Sequence, residues 1–320
     1  MARGPIPASP LPPRHGVDAQ RFRMPQDGPW TSLRDHLVER LSPGVGAAEV
    51  DRMLRAGEFV DVCGTPLPAD APFVPQAAVW AHRDLPVEVV HPEAPVVLHR
   101  DHRIVVVDKP HDMATMPRGR HVVQSALART RVLTGLDRLT PAHRLDRPTA
   151  GVLMFTVEQG WRGPYQRVFA EGLAHKEYLA VAPVLPGLAL PLVRRTHLVK
   201  EHGTHQAREV RDADPNAETL VELLETAPGA GTGGEELGLY RLTPRTGRTH
   251  QLRCQLNGLG IPIVGDPLYP VERDVPLGCF DAPLQLLAAV LAFDDPVDGT
   301  RRRFVSRRRL AAWPGDWPTP

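Results

Sequence analysis

An α+β protein with a mixed, largely antiparallel central sheet, preceded by a small α+β module, is what the sequence predicts. Three observations carry this. Strand-like runs bounded by Gly and Pro dominate the latter two-thirds of the 320-residue chain. Strands and helices do not alternate regularly and no internal repeat is present, which argues against a doubly wound parallel sheet. A Pro-containing stretch, "PVEVVHPEAP", separates a helix-containing opening from the long body, and the length suits two domains at roughly 100–200 residues each.

Residues 1–30 hold the Pro-rich "MARGPIPASPLPPRHG" and read as a disordered lead-in. It has no apolar core of the kind a secretory signal needs. Residues 31–92 form the small module. "TSLRDHLVERL" spaces Leu33, Leu37 and Leu41 four apart, an amphipathic helix that Thr31 or Ser32 caps. A second helix ends near Gly57, followed by short β segments.

The body spans 94–310. "APVVLHRDHRIVVVDKP" reads as two buried strands around a charged turn, and "VQSALARTRVL" as a helix. "GVLMFTV" and "KEYLAVAPV" are strands with the helical "QRVFAEGL" between them. "ETLVELLETA" and "LGLYRLTP" pair as a hairpin across "PGAGTGGEE". "THQLRCQLNGLG" is a helix with Leu252, Leu256 and Leu259 on one face, ending at Gly258 or Gly260. "LLAAVLAFDDPVDGTRRRFVS" is a hairpin through an Asp-Gly turn, and 311–320 is a tail.

Composition narrows the classes. No apolar run approaches the ~20 residues of a membrane span. Cys63, Cys254 and Cys279 are widely separated, which fits a reducing cytoplasm without structural disulfides or a zinc knuckle. His197, His202 and His205 match no metal-ligand spacing and read as loop histidines. "GAGTGG" lacks the Gly-Lys-Ser/Thr of a phosphate loop and reads as a hairpin loop. Net charge is +1, but Lys109, Lys176 and Lys200 are the only lysines. GC-rich coding accounts for such a bias, and arginine forks also suit phosphates and base edges. Local arginine clusters bind RNA even on a nearly neutral protein. "RRRFVSRRR", 301–309, is either an edge strand blunted by charge or one such cluster.

Four segments combine constrained turns with polar groups. In "VVVDKPHDMATMP", 105–117, Pro110 forces a turn at a strand end. In "HRLDRPTAGVLMF", 143–155, Asp146 lies between Arg144 and Arg147 at the mouth of an apolar strand. A surface ion-paired turn explains that pattern; so does a carboxylate kept ionised by cations and ready as a nucleophile. In "HKEYLAVA", 175–182, alternation puts Lys176, Tyr178 and Ala180 on one face. Tyr178 is then either a core tyrosine or a stacking face for a flipped base. In "PRTGRTHQLRCQLNGLGIPIVGDPLY", 244–269, Gly247 permits a tight turn and Thr249 caps the helix that follows. Arg245 and Arg248 beside that helix N-terminus attract an anion, whether a phosphate or the Asp146 carboxylate.

Taken in order, these segments resemble the RluA-type pseudouridine synthases, which isomerise uridine in ribosomal and transfer RNA. The pattern H-R-L-D-x-x-T-S-G is met by His143, Arg144, Leu145, Asp146, Thr149 and Gly151; K-x-Y by Lys176 and Tyr178. T-G-R-T-H-Q-L-R and L-G-x-P-I-x-G-D-x-x-Y are matched from Thr246 to Tyr269, and the likeness covers about 94–306. It implies a mixed sheet with a cleft between two α+β halves, the pseudouridine synthase fold. It also implies that Asp146 is the catalytic aspartate, that Tyr178 lies against uracil and assists proton transfer, and that Arg248 pairs with Asp146. Arg144 would brace the space vacated by the flipped nucleotide, with His143, Lys109, Lys176, Thr249, His250 and Arg253 completing the substrate-binding set. Implied too are an RNA partner, no metal or other cofactor, no DNA or membrane, and a cytoplasmic monomer.

The departures are Ala150 for Ser, the stiffening Pro148, and Leu287 where many relatives carry His. Residues 31–92 resemble a degenerate ribosomal-protein-type RNA-binding domain whose basic helix keeps only Arg52 and Arg55. The reaction breaks the N1–C1′ bond, rotates uracil and rejoins it through C5. Asp146 adds to C1′ or C6, or acts on a sugar proton. Two rivals are a non-catalytic RNA-binding protein on the same surface, and a glycosidic hydrolase, which ordinarily needs a second carboxylate.

Overall fold

Two units, Met1–Val87 and Glu88–Pro320, make up the computed structural model, which describes residues 9–42, 44–85, 87–229, 236–276 and 278–317. In the first unit, β1 (Gln20–Arg23) pairs antiparallel with β2 (Ala78–Ala81), and α1 (Leu33–Leu41) and α2 (Ala47–Arg55) cover them. Ser32 caps α1 by accepting the Asp35 N–H. Leu33, Leu37, Val50 and Leu54 bury their side chains with Phe22, Phe59 and Val79. The lead-in is therefore shorter than expected. Phe22 and Met24 alternate with Arg21 and Arg23, so one face of this segment has a core to join. Residues 1–8 lie outside the described residues. Both helical arginines of the basic pattern are engaged within the unit: Arg52 pairs with Glu49 and Glu58, and Arg55 donates to the Asp51 carbonyl.

The second unit begins earlier than the sequence suggests, because the Glu88 carboxylate accepts backbone N–H groups of Val122, Val123 and Gln124. Its strands are β3 (Val96–Arg100), β4 (Ile104–Lys109), β5 (Thr140–Pro141), β6 (Ala150–Thr156), β7 (His175–Pro183), β8 (Leu192–Val199), β9 (Arg208–Val210), β10 (Ala217–Pro228), β11 (Glu236–Pro244), β12 (Leu286–Asp294) and β13 (Arg301–Val305). The helices are α3 (Ala126–Thr134), α4 (Gln159–Ala170) and α5 (Gln251–Gly258). The strands form one sheet in the order β3-β4-β6-β12-β7-β11-β10-β8-β9, with β13 on β12 and β5 on β6. Among the described strands only β6–β12 is parallel, so the sheet is mixed and largely antiparallel, as the strand pattern predicts. Of the "GAGTGG" hairpin loop, all but Gly229 lies outside the described residues.

The centre of the sheet is covered on both faces. Val105 and Val107 of β4 face α3, while Ile104 and Val106 face α4. Leu252 and Leu256 of α5, joined by Leu259, meet Ala180, Ala182 and Leu242. Tyr178 touches both the α3 and the α5 clusters, so these two helices flank a cleft on one face. On the other face Leu179, Val181 and Leu287 are covered by Leu310 and Trp313. The expected tail is thus part of the core as far as Trp313, and the Ala312 N–H donates to the Gln285 side chain. His197 lies in β8 and not in a loop. In "RRRFVSRRR", Ser306 and the Arg307 N–H bind the buried Asp108 carboxylate, tying the segment to β4. No helix among the described residues is long and apolar enough to cross a membrane.

Candidate active site

Asp146 sits in the loop between β5 and β6, and the turn after β4 holds that loop from below. Thr115 Oγ1 donates to the Leu145 carbonyl at 2.7 Å and accepts the Leu145 N–H at 3.1 Å. His111 Nδ1 donates to the Pro148 carbonyl at 2.9 Å. Lys109 Nζ donates to the carbonyls of Arg147 (3.1 Å), Met113 (2.8 Å) and Pro110 (3.0 Å). Burial pushes the Lys109 ammonium down to about 7. The three carbonyls oppose this, because only the protonated amine has three N–H groups to give them. Lys109 is fully buried, so it is a brace for the loop and not the substrate contact expected of it. Behind the loop, Gly151 pairs with Ala288 across the parallel β6–β12 junction at φ +113°; a Cβ there would lie 2.2 Å from the Ala288 oxygen. Only glycine fits.

The expected ion partner of the carboxylate is corrected. Asp146 Oδ2 lies 3.4 Å from Arg253 Nη1 and 4.0 Å from His250 Nε2. Arg248 instead donates its Nε to the Asn216 carbonyl. The reason is where α5 starts. Gln251 caps the turn with its own side chain, accepting the Arg248 N–H at 3.0 Å, so Arg248 stays in the exposed turn. Arg253, in the first helical turn, points under Asp146. Thr249 is exposed and caps nothing; the N-cap is His250, in the left-handed region at φ 56°. Arg147 pairs with Asp112 at 3.6 Å, which leaves Arg144 exposed at the cleft mouth.

Arg253 is itself held by a second carboxylate, Asp266, which no expectation from the sequence had placed in the site. Its Nε and Nη2 donate to Asp266 at 2.8 and 2.6 Å, and Asp266 also accepts the N–H groups of Leu268 and Tyr269. Burial alone would lower the Arg253 pKa, but the Asp266 hydrogen bond and the charges of Asp266 and Asp146 outweigh it and raise it. The guanidinium carbon also lies 5.4 Å from the Tyr269 ring centre. Burial pushes His250 down, against the opposing pull of Asp146.

Tyr178 and Lys176 form one wall with Leu252 and Leu286. Burial and the Asp146 charge raise the Tyr178 pKa, so its phenol keeps its proton. Lys176 donates to the Thr246 carbonyl at 3.2 Å, and burial lowers its pKa. His143 does not line the cleft. It stacks on Phe169 with ring centres 4.4 Å apart, and its Nε2 accepts the Met154 N–H. Burial pushes it down to about 3, making it a neutral structural group rather than the expected substrate contact. Ala150 and Leu287 share the buried cluster on the far face, so neither departure from the motif pattern reaches the cleft.

The inner cleft is small, about 110 Å³, and open to solvent at its mouth. It opens beside Asp146 onto a wider groove bearing Arg118, Arg147, Lys200 and Arg273. Asp146 is the one carboxylate lining the inner cleft among the described residues.

A family model described as RNA pseudouridylate synthase matches residues 103–258. The dual-specificity RNA pseudouridine synthase RluA of Escherichia coli is 30% identical over 212 residues, covering 65% of this chain and 91% of the relative. Its Salmonella typhi counterpart is 29% identical over 210 residues with the same shares. Among solved structures, human RNA pseudouridylate synthase domain containing 1 superposes with a TM-score of 0.55 at 22% identity, over 69% of this chain and 86% of that one, a likeness of fold. With the family's sequence pattern running through the Asp146 loop, β7 and α5, and its fold around them, the chain belongs to the RNA pseudouridylate synthases, isomerases that act on RNA.

Proposed function

We propose that this protein converts uridine to pseudouridine in ribosomal or transfer RNA, as a cytoplasmic monomer, with Asp146 as the catalytic group. The observation that carries the reading is a single cleft carboxylate held against a buried guanidinium and beside a protonated tyrosine. The target nucleotide leaves its stack and enters the cleft. Arg253 sets a fixed positive charge beside Asp146 and organises charge in the cleft. Arg253 Nη1 donates to Oδ2 at 3.4 Å, and among the described residues no hydrogen bond reaches Oδ1, which is offered to the substrate.

The chemistry conserves atoms. The N1–C1′ bond breaks, the C5–C1′ bond forms, C5 loses a proton and N1 gains one. Asp146 serves by adding to C1′ or C6 or by taking a sugar proton. Tyr178 offers a ring face to uracil and a phenol that donates at neutral pH. Arg144 fills the gap left in the RNA, and Lys176, His250 and Thr249 border the nucleotide. The groove arginines and Lys200 take backbone phosphates, with the salt dependence that implies. The N-terminal unit contributes little phosphate binding through α2, whose Arg52 is engaged by two glutamates. A hydrolytic outcome is disfavoured because the inner cleft lacks, among the described residues, the second carboxylate such enzymes use.

The test is to map pseudouridine in ribosomal and transfer RNA from cells with and without the gene. Loss of one or more specific positions is expected. An unchanged map, or release of free uracil by the purified protein, contradicts the proposal.

A further inference from the structure

A second groove lies on the opposite sheet face from the cleft, beside the end of α4, and meets the cleft rim at Lys176 and Pro244. Its floor is a ladder across three strands. Val193 of β8 and Thr243 of β11 flank Leu220 of β10, all facing away from α5, whose contacts are made by their sequence neighbours Leu192, Val221 and Leu242. Leu173, 63% exposed, overhangs this floor from the α4–β7 turn.

The next rung is charged. Glu218 Oε2 accepts from Arg195 Nε at 2.7 Å, and Glu218 Oε1 lies 3.3 Å from Arg245 Nη1. One half-buried carboxylate thus fixes two guanidiniums whose side chains remain 60% and 80% exposed. The three groups together carry a net positive charge and keep most of their N–H donors free for an anion. Arg245 is the arginine of the 244–269 segment that the cleft does not use; it continues directly into Thr246, Gly247 and Arg248 on the cleft rim.

We propose that this groove is a second RNA subsite, in which Arg195 and Arg245 take backbone phosphates of single-stranded nucleotides flanking the one in the cleft while Leu173, Val193 and Leu220 take their base or sugar faces. The occupant is argued from two features. The groove is continuous with the cleft of an enzyme that acts on RNA, and an apolar row beside a guanidinium row offers one surface for a base or sugar and one for the adjoining phosphates. This subsite rests on the proposed RNA uridine chemistry at Asp146, and it extends that reading from one nucleotide to its neighbours.

The experiment compares the full chain with Arg195→Gln/Arg245→Gln and Arg195→Glu/Arg245→Glu variants. Binding of a labelled single-stranded oligouridine is followed by fluorescence anisotropy over a salt series, with uridine monophosphate as the short ligand, and pseudouridine formation is measured on total RNA from cells lacking the gene. The subsite predicts weaker oligouridine binding, about tenfold or more for the charge reversal, and a salt slope shallower by about 0.7 for each phosphate no longer neutralised. Uridine monophosphate binding and the single-turnover rate at saturating enzyme stay at the wild-type level. Unchanged oligouridine affinity and slope in both variants, with wild-type protein active, overturns the subsite alone. Inactive wild-type protein overturns the chemistry at Asp146 instead.

Discussion

Replacing Arg253 with alanine separates two roles that the structure gives one guanidinium. Asp266 is fully buried, and without Arg253 it keeps only backbone donors. Orphaning one member of a buried ion pair costs about 3–5 kcal/mol. Asp146 loses a cation 3.4 Å away. At an effective dielectric of about 20 the gross attraction at that distance is about 5 kcal/mol. Because the carboxylate is partly exposed, the retained share is closer to that of one lost electrostatic donor, roughly 10²–10³ in rate. Urea unfolding with an unchanged slope reads the first effect, and single-turnover pseudouridine formation reads the second. Asp266→Asn keeps the guanidinium and should lose stability with a smaller loss of rate. The double alanine variant should be less destabilised than the two singles combined, with a coupling of about 2 kcal/mol. An Arg253→Ala protein of wild-type rate refutes the electrostatic role, and one of wild-type stability refutes the buried pair.

Gly151→Ala should destabilise by about 3 kcal/mol or more, from positive-φ strain of about 1–3 kcal/mol plus the collision with Ala288; unfolding within about 0.5 kcal/mol of wild type contradicts the close β6–β12 approach. Lys109→Met keeps the stem but strips three carbonyls of a donor, so about 2–4 kcal/mol of stability should go and kcat should fall while KM moves little. A KM effect alone would restore Lys109 as a substrate contact. His143 has a folded pKa of about 3, below its ordinary 6.5, so between those values the unfolded chain binds the extra proton. Stability from this group is complete above pH 6.5 and is lost as pH falls toward 3, by up to roughly 5 kcal/mol. His143→Gln should flatten that limb in urea melts at about pH 4 and pH 7, and superimposable pH dependences would count against the buried neutral imidazole.

The parts legible in the sequence are those whose signal is local. The Ile104–Val107 run, the Leu33–Leu37–Leu41 stripe and the alternation around Tyr178 each report their burial within a few residues. β1 is hidden because its partner β2 lies far along the chain, and its own four residues carry one large apolar side chain. β8 escapes notice because Arg194 interrupts its buried face while Arg195 and His197 interrupt the more exposed one. In the site, motif order locates the right segments, but not which arginine faces Asp146. That choice depends on Gln251 holding the Arg248 N–H in the turn before α5, a side-chain geometry that spacing does not encode. Lys109 misleads for a similar reason: a lysine reads as a surface charge until the carbonyl of Arg147, distant in sequence, arrives to bury it. Asp266 carries a usable signal, since a carboxylate fixed in a Gly-Asp-Pro turn near an inward-facing helical arginine is a candidate partner.

The most direct test of the central claim is single-turnover pseudouridine formation by purified Asp146→Asn protein, with RNA binding measured on the same preparation. The variant keeps the shape of the side chain and removes the charge, so RNA affinity within a few-fold of wild type and no detectable pseudouridine are expected. Pseudouridine formed at the wild-type rate would contradict the account.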